Sequence, residues 1–411
     1  TGEIKMKKLN RIIKMDSYDA VSFFNGLVFF APVSLLVRTQ AGVSQSMFFL
    51  LQALLSVITF LGEIPTGFLT DRIGYKRSLV LSQGLLLLAR FLLFVSFICK
   101  SPVLFSVEAI VEGLSYCFVS GTDSAYVYEV YGTKNYLSKM THASNCGTAG
   151  FLISTVVYVV IYHVFNIEGL LLSTIATSMA AAFFSFKLKK EPSKVIGQKE
   201  PQNKTTSYTE NDQDNKNMEN CHPLKRLFST MKHPKALLFA VELSVFQVSW
   251  LLINFFYVEK LETCGISVEW MSAVILGYSA VEMLAEPIIR KIGNAFSNTW
   301  AFVFEVASGI GFLLFGFISH KILVVALMLI LPLLLKLPEY FVMEQENVLV
   351  DMLGADTQRA AALSLLNMGV SIIEIFALFA SAALTAVGIS WCFFGVGILL
   401  IIAMLCLTAT N

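Results

Sequence analysis

Twelve apolar stretches of about twenty residues each, parted by short polar turns, leave this chain few ways to fold. A hydrocarbon core about 30 Å thick is crossed by roughly 20 helical residues, and in lipid a lone segment satisfies its own backbone only as a helix. The first six stretches run Tyr18 to Val37, Ser46 to Leu69, Ser78 to Cys99, Val103 to Ala125, Leu137 to Tyr162 and Gly169 to Phe186. The second six run Ala236 to Val258, Val268 to Ile289, Thr299 to Ile318, Ile322 to Val348, Ala360 to Ala383 and Ile389 to Cys406. The expected fold is an all-α membrane protein with 12 transmembrane helices in two six-helix halves, 18–186 and 236–411. Residues 1–17 read as a cytoplasmic N-terminal segment, and 187–235, rich in Lys, Asn, Gln and Thr, as a cytoplasmic linker.

Composition points the same way, with 56% of the 411 residues hydrophobic and only 14% charged. Lysine and arginine set the sidedness. With both termini inside, only Arg38, Lys100, Lys260 and Lys321 of the 30 fall outside, and Arg90 and Lys336 lie within spans. A net charge of +1 offers no field for a nucleic-acid partner, so the lipid bilayer is the expected environment and a monomer the expected state. No small-residue cleavage site follows the first stretch, so no cleaved leader is expected. The 7 cysteines and 5 histidines are dispersed, and neither a disulfide, a metal site nor a cofactor is expected. No nucleophile-base pair or phosphate loop suggests an enzyme.

Shifting the chain against itself by 222 or 223 residues reveals an internal repeat. Asp19 falls on Glu242, Gly42 and Ser44 on Gly265 and Ser267, and Glu63 on Glu286. Glu129 and Gly132 fall on Asp351 and Gly354, and Asn145 and Gly147 on Asn367 and Gly369.

The end of the second stretch and the short basic loop after it read GEIPTGFLTDRIGYKR, Gly62 to Arg77. Pro65 removes a backbone donor inside an apolar helix, which predicts a kink, while Gly67 and Gly74 permit close approach and a tight turn. The run resembles motif A of the major facilitator superfamily, the loop between its second and third helices, at Gly67, Asp71, Arg72, Gly74, Lys76 and Arg77. The preceding Glu63-Ile64-Pro65-Thr66 is similar to a variant in bacterial efflux members. The resemblance implies the major facilitator fold in a bacterial inner membrane, with a pseudo-two-fold axis along the membrane normal and a site between the halves. It also implies a gating role for those six residues, with Asp71 meeting the N-terminus of the eleventh helix. Three departures stand out. The repeat's second motif, Glu286 to Gly293, lacks a counterpart of Asp71; the fourth stretch has no Arg near Glu112; and Asn145 to Gly150 stands where antiporters carry a Gly-Pro signature.

Thirteen carboxylates lie within the stretches or at their edges: Asp19, Glu63, Glu108, Glu112, Asp123, Glu242, Glu282, Glu286, Glu305, Glu339, Glu344, Glu346 and Glu374. Each costs about 2.5 to 3.5 kcal/mol at mid-bilayer, so they must face protein or water, or be protonated. An acidic central cavity and proton coupling follow. The proposed coupling set is Glu63, Glu112, Asp123, Glu286, Glu344 and Glu346. The substrate-binding set is Asn25, Arg90, Tyr116, Gln247, Trp250, Asn254, Lys336 and Tyr340, where aromatic rings beside carboxylates suit an organic cation. Plainer readings stand beside these. Arg90 and Glu112 suit a structural ion pair, and Lys336 and Glu339 at i,i+3 suit mutual neutralisation. Glu63 and Glu286 suit bracing of bent helices, and Asp19, Glu108, Glu242 and Glu269 suit solvated or capping positions. Asn145, Gly147 and Gly150, with Asn367 and Gly369, suit close helix packing.

The leading functional expectation is a proton-coupled secondary transporter that exports an amphiphilic, cationic small molecule by alternating access. The alternative is a proton symporter importing a nutrient or metal chelate, and after it a non-transporting membrane receptor.

Overall fold

A computed structural model of the chain describes residues 15–191, 234–266, 270–292, 298–352, 358–385 and 389–410. Most of the expected N-terminal segment and linker, together with Ser267, Glu269, Gly293, Gly354 and the Glu374 side chain, lie outside the described residues. Helix is the only regular structure within them. In chain order the helices are α1 Ser17–Gly26, α2 Ser34–Gln40, α3 Gln45–Ile73, α4 Tyr75–Cys99, α5 Pro102–Val119, α6 Thr122–Tyr131 and α7 Thr133–Phe186. There follow α8 Pro234–Thr263, α9 Met271–Glu282, α10 Ala285–Ile292, α11 Asn298–Phe317, α12 Lys321–Met352, α13 Arg359–Thr385 and α14 Ile389–Thr410. Among the described residues 7 helical stretches are long and apolar enough to cross a membrane, and shorter apolar helices cover Arg359–Ile373 and Ser390–Ala403.

The expected spans differ from the helices where the backbone breaks. Tyr18 to Val37 is not one helix: it stops at Gly26 and resumes through a 3-10 turn, Ala31–Val33, that contains Pro32. The groups freed there are met by threonines of α7, with Phe29 N donating to Thr174 Oγ1 at 3.1 Å and Thr177 Oγ1 donating to Leu27 O at 3.0 Å. Ser120 and Gly121, the latter at φ 68°, separate α5 from α6, and that stretch continues to Tyr131 rather than Ala125. The fifth and sixth stretches form one helical run bent at Asn166, which sits at φ 54°. Val268 to Ile289 is divided at Met283 and Leu284. Pro65 lies within α3 without interrupting it.

Small residues let helices meet backbone to backbone. A Cβ on Gly26 would come 2.0 Å from Gly147 O, and one on Gly150 2.2 Å from Phe23 O, so α1 and α7 pack through the glycines expected to serve packing. Gly67 of α3 lies against α13, where a Cβ would come 2.8 Å from Ala361 Cα. One apolar core joins Tyr18, Tyr126 and Tyr136 of the N-terminal helices to Phe246, Leu335 and Leu366 of the C-terminal ones. A second, around Leu27, Phe30, Leu93, Phe105 and Leu170, belongs to α1 through α7 and the turns between them.

Gly42 and Gly265, repeat mates in the sequence, both take positive φ, 84° and 76°. Arg38 and Lys260, which the sidedness expectation assigns to the outer side of the membrane, are buried just before these turns. Arg38 engages Glu108 at 3.5 Å, and Lys260 Nζ donates to Gly316 O at 2.7 Å. Each charge finds a carboxylate or a helix-terminal carbonyl, which is what makes its burial tolerable.

Candidate functional site

Asp71 ties two distant helices together. It closes the last turn of α3, and its two oxygens accept hydrogen bonds at 3.0 Å from Ala360 N and Ala361 N, the free donors opening α13. Gly74, at φ 95°, turns the chain into α4, and Lys76 N donates to Glu191 Oε2 at 3.3 Å. Arg72 and Arg77 are exposed.

Beside Asp71 sits Arg359, a residue the sequence reading did not single out, at 2% exposure the largest fully buried side chain among the described residues. Its Nε lies 3.1 Å from Glu129, Nη2 pairs with Asp351, and Nη1 donates to Asn347 O at 3.0 Å. Tyr128 lies under the guanidinium and donates to Asp351 at 2.8 Å. Asn347 Nδ2 donates to Ser124 Oγ at 2.7 Å. Together these contacts join α3 and α6 to α12 and α13 at the end of the bundle that carries Asp71.

Farther in, a cavity of about 190 Å³ is walled by both parts of the chain. Asp123, Ser120 and Ser124 face it from one side, and Gln247, Glu339, Glu346 and Asn367 from the other. Tyr18 donates to Asp123, Trp250 Nε1 donates to Glu339 at 2.9 Å, and Oε1 of Glu346 has no partner among the described residues. A second cavity of about 240 Å³ shares Asp123 and includes Asn25, whose Oδ1 is likewise without a partner among the described residues. Glu63 is buried next to the first cavity: Ser120 Oγ donates to its Oε1 at 3.3 Å, and Oε2 has no partner among the described residues.

The other expected residues fall into separate groups. Arg90 and Glu112 form an ion pair at 3.0 Å, Tyr116 donates to Glu112 at 2.9 Å, and Phe30 covers the guanidinium. Lys336 pairs with Glu282 at 2.5 Å rather than with Glu339, and its ammonium lies over both Trp250 and Tyr340. Asn254 is exposed and accepts from Tyr278 at 3.1 Å. Glu344 is half-buried on α12. Glu108 and Glu242, read as solvated or capping, are fully buried, and neither oxygen of Glu242 or Glu305 meets a donor among the described residues.

Glu286 is the second crossing point. It meets His142 Nδ1 at 2.8 Å and accepts from Asn145 Nδ2 at 3.1 Å, linking α7 to α10. His142 Nε2 lies 3.6 Å from Asp19, and Lys139 holds Asp19 and Asp16 at 2.6 and 2.8 Å. Asp16 caps α1, with Asp19 returning a bond to its backbone. Burial pushes the Asp16 carboxyl up, but hydrogen bonds from Lys139 and Tyr131 outweigh it and hold the group well below the usual carboxylate range. Histidines and cysteines expected to be dispersed also converge here, because Asp19, His142 and Cys146 bring ligand atoms within 4.8 Å of one another.

An all-helical bundle with long apolar helices and a polar cavity walled from both ends of the chain is the architecture of a membrane transporter. The chain belongs to the Major Facilitator Superfamily, whose family model matches residues 20–335. Solved structures agree on the fold. The E. coli fucose:proton symporter FucP, as a point variant, is 14% identical with a TM-score of 0.65, covering 95% of this chain and 96% of that one. FucP in the outward conformation is 13% identical with a TM-score of 0.71, covering 96% and 97%. The human organic anion transporter MFSD10 is 13% identical with a TM-score of 0.67, covering 96% and 98%. No curated protein matches the sequence.

Proposed function

We propose that the chain is a proton-coupled secondary transporter of the bacterial inner membrane, with twelve membrane helices in two halves, that exports an amphiphilic cationic small molecule by alternating access. The cavity carries this reading: Asp123, Glu339 and Glu346 line it from both parts of the chain, which favours a cation. The chain is tied together at the Asp71 end, so with that end cytoplasmic this state is closed towards the cytoplasm. Reconstituted protein is expected to accumulate or expel a cationic dye only when a pH gradient is imposed. Dye movement indifferent to the gradient, with proton movement indifferent to the dye, would overturn the reading.

A second reading is proton symport of a hydroxylated nutrient. The neutral hydrogen-bonding lining of Ser120, Ser124, Gln247 and Asn367 favours it, and a fucose:proton symporter is among the similar structures. Uptake of a labelled sugar panel in the same vesicles, driven by inward protons, separates the two.

A further inference from the structure

We infer that Asp19, His142 and Cys146 form a binding site for a divalent transition-metal ion of the zinc type, with Glu286 as its orienting outer partner. His142 and Cys146 stand one helical turn apart on α7, and α1 brings Asp19 to them. His142 Nε2 lies 3.9 Å from Cys146 Sγ and 3.6 Å from Asp19 Oδ2. Zinc-type bonds of about 2.0–2.3 Å at tetrahedral angles place ligand atoms about 3.3–3.6 Å apart, so small side-chain rotations seat an ion among the three.

The imidazole is set for the task. With Nδ1–H donating to Glu286 at 2.8 Å, the neutral ring carries its lone pair on Nε2, the nitrogen nearer Asp19 and Cys146. Asn145 in turn holds the other oxygen of Glu286 at 3.1 Å. Carboxylate, histidine and metal in line are the usual way a protein fixes the tautomer of a ligating ring. The nearest competing charge is Lys139, which engages Oδ1 of Asp19; Oδ2, the oxygen facing His142, also accepts from Asp16 N at 3.0 Å and keeps a lone pair for the ion. Entry of the ion displaces the Cys146 thiol proton and the Nε2 proton that the flanking carboxylates favour on His142, and the thiolate, with Asp19, balances the dication. Three protein ligands leave a fourth position open, as suits exchange of the ion.

Cobalt(II) is the probe, titrated into the purified, reduced full-length protein in detergent. The expected result is a saturable near-ultraviolet thiolate-to-cobalt band accompanied by visible ligand-field bands. Cys146→Ser removes the thiolate band, His142→Gln weakens binding at least tenfold, and Glu286→Gln weakens it about 10- to 100-fold by releasing the ring. Cys99→Ser and Cys117→Ser leave the spectrum unchanged. Melting temperatures without metal identify any variant that misfolds, and Cys146→Ala then replaces Cys146→Ser. No saturable cobalt spectrum, or the same thiolate band in both Cys146 variants, overturns the site. The titration needs neither gradient nor substrate, so it succeeds or fails separately from the carrier reading.

Discussion

Asn347 donates a hydrogen bond to Ser124 at 2.7 Å across 223 positions of sequence. Tyr128 and Asp351 meet at the same separation, and it is the offset of the internal repeat. Two residues related by a two-fold axis touch only if they lie beside it, so these contacts are what the proposed two-half arrangement requires near its centre. Asn347 is fully buried and also accepts from Arg359 through its carbonyl and its side chain. Asn347→Ala leaves Ser124 and one guanidinium nitrogen each short of a partner. Ser124 keeps Tyr136 and the guanidinium keeps the backbone carbonyl, so at about 0.5–1.5 kcal/mol for each hydrogen bond lost the variant is expected to melt a few degrees lower in detergent. An unchanged melting temperature would show that the contact contributes nothing.

Asp71 makes its bonds with an ionised carboxylate at a helix N-terminus. Asp71→Asn keeps one acceptor but loses the second and the charge, a loss of about 0.5–2 kcal/mol. Population should shift away from the state closed at this end, slowing exchange between states while substrate binding in the central cavity persists. Lys76 contributes only its backbone N to the contacts seen, to Glu191, so Lys76→Ala is expected to change far less. Solvent accessibility of a single labelled cysteine near Gly121 checks both. Equal accessibility in Asp71→Asn and the parent would remove the latch role.

Much of this arrangement was legible before the structure. Helices announce themselves by apolar length, and Asp71 announced its partner because a motif fixes both ends of the contact. Breaks within helices were harder to see. The gap after Gly26 is stable only because Thr174 and Thr177 answer its backbone groups, and those lie nearly 150 positions away. Arg359 was invisible for the same reason: nothing adjacent in sequence marks its partner Glu129, which lies 230 positions away. Ion-pair partners followed distance in space rather than helical spacing, so Lys336 chose Glu282 on α9 over Glu339 on its own helix. His142 and Cys146 share a face of one helix, a legible signal, but only the fold supplies Asp19.

Arg90 and Glu112 are both nearly buried, with side chains 10% and 9% exposed. Breaking such a pair strands a charge, at about 3–5 kcal/mol, whereas replacing both partners with apolar groups of similar size is often neutral. Arg90→Met is therefore expected to lower the yield of folded protein sharply, and Arg90→Met with Glu112→Leu to restore much of it. A double variant no better than the single one would mean that Arg90 acts through something other than Glu112.

Gly26 allows no side chain. A Cβ there would sit 2.0 Å from Gly147 O, on backbone that cannot swing aside as a side chain would. Gly26→Ala is expected to force α1 from α7 at about 1–3 kcal/mol, read as a fall in melting temperature larger than that of Gly84→Ala, where the added methyl meets nothing within 4 Å. Equal melting of the two variants would deny the close packing.

Glu63 is the carboxylate best placed to carry protons. It is buried, one of its oxygens has no partner among the described residues, and the other is one hydrogen bond from Ser120 on the cavity wall. Ser120 Oγ also accepts from Asn367 across the cavity, so a change at Glu63 has a route to both walls. Glu112 is occupied by Arg90 and Tyr116, which makes it the weaker candidate despite equal burial. A coupling group must change protonation during the cycle, and Gln imitates only the protonated form. Glu63→Gln is therefore expected to lose uphill, pH-driven transport while keeping downhill exchange of substrate, with little change in melting temperature. Glu112→Gln is expected instead to lower stability and both activities together, because the buried Arg90 loses its counter-charge. Proteoliposomes assayed with and without an imposed gradient report both quantities. Full pH-driven transport by Glu63→Gln would remove it as the proton carrier and leave Asp123 and Glu346, which line the same cavity from opposite sides, as the next residues to neutralise.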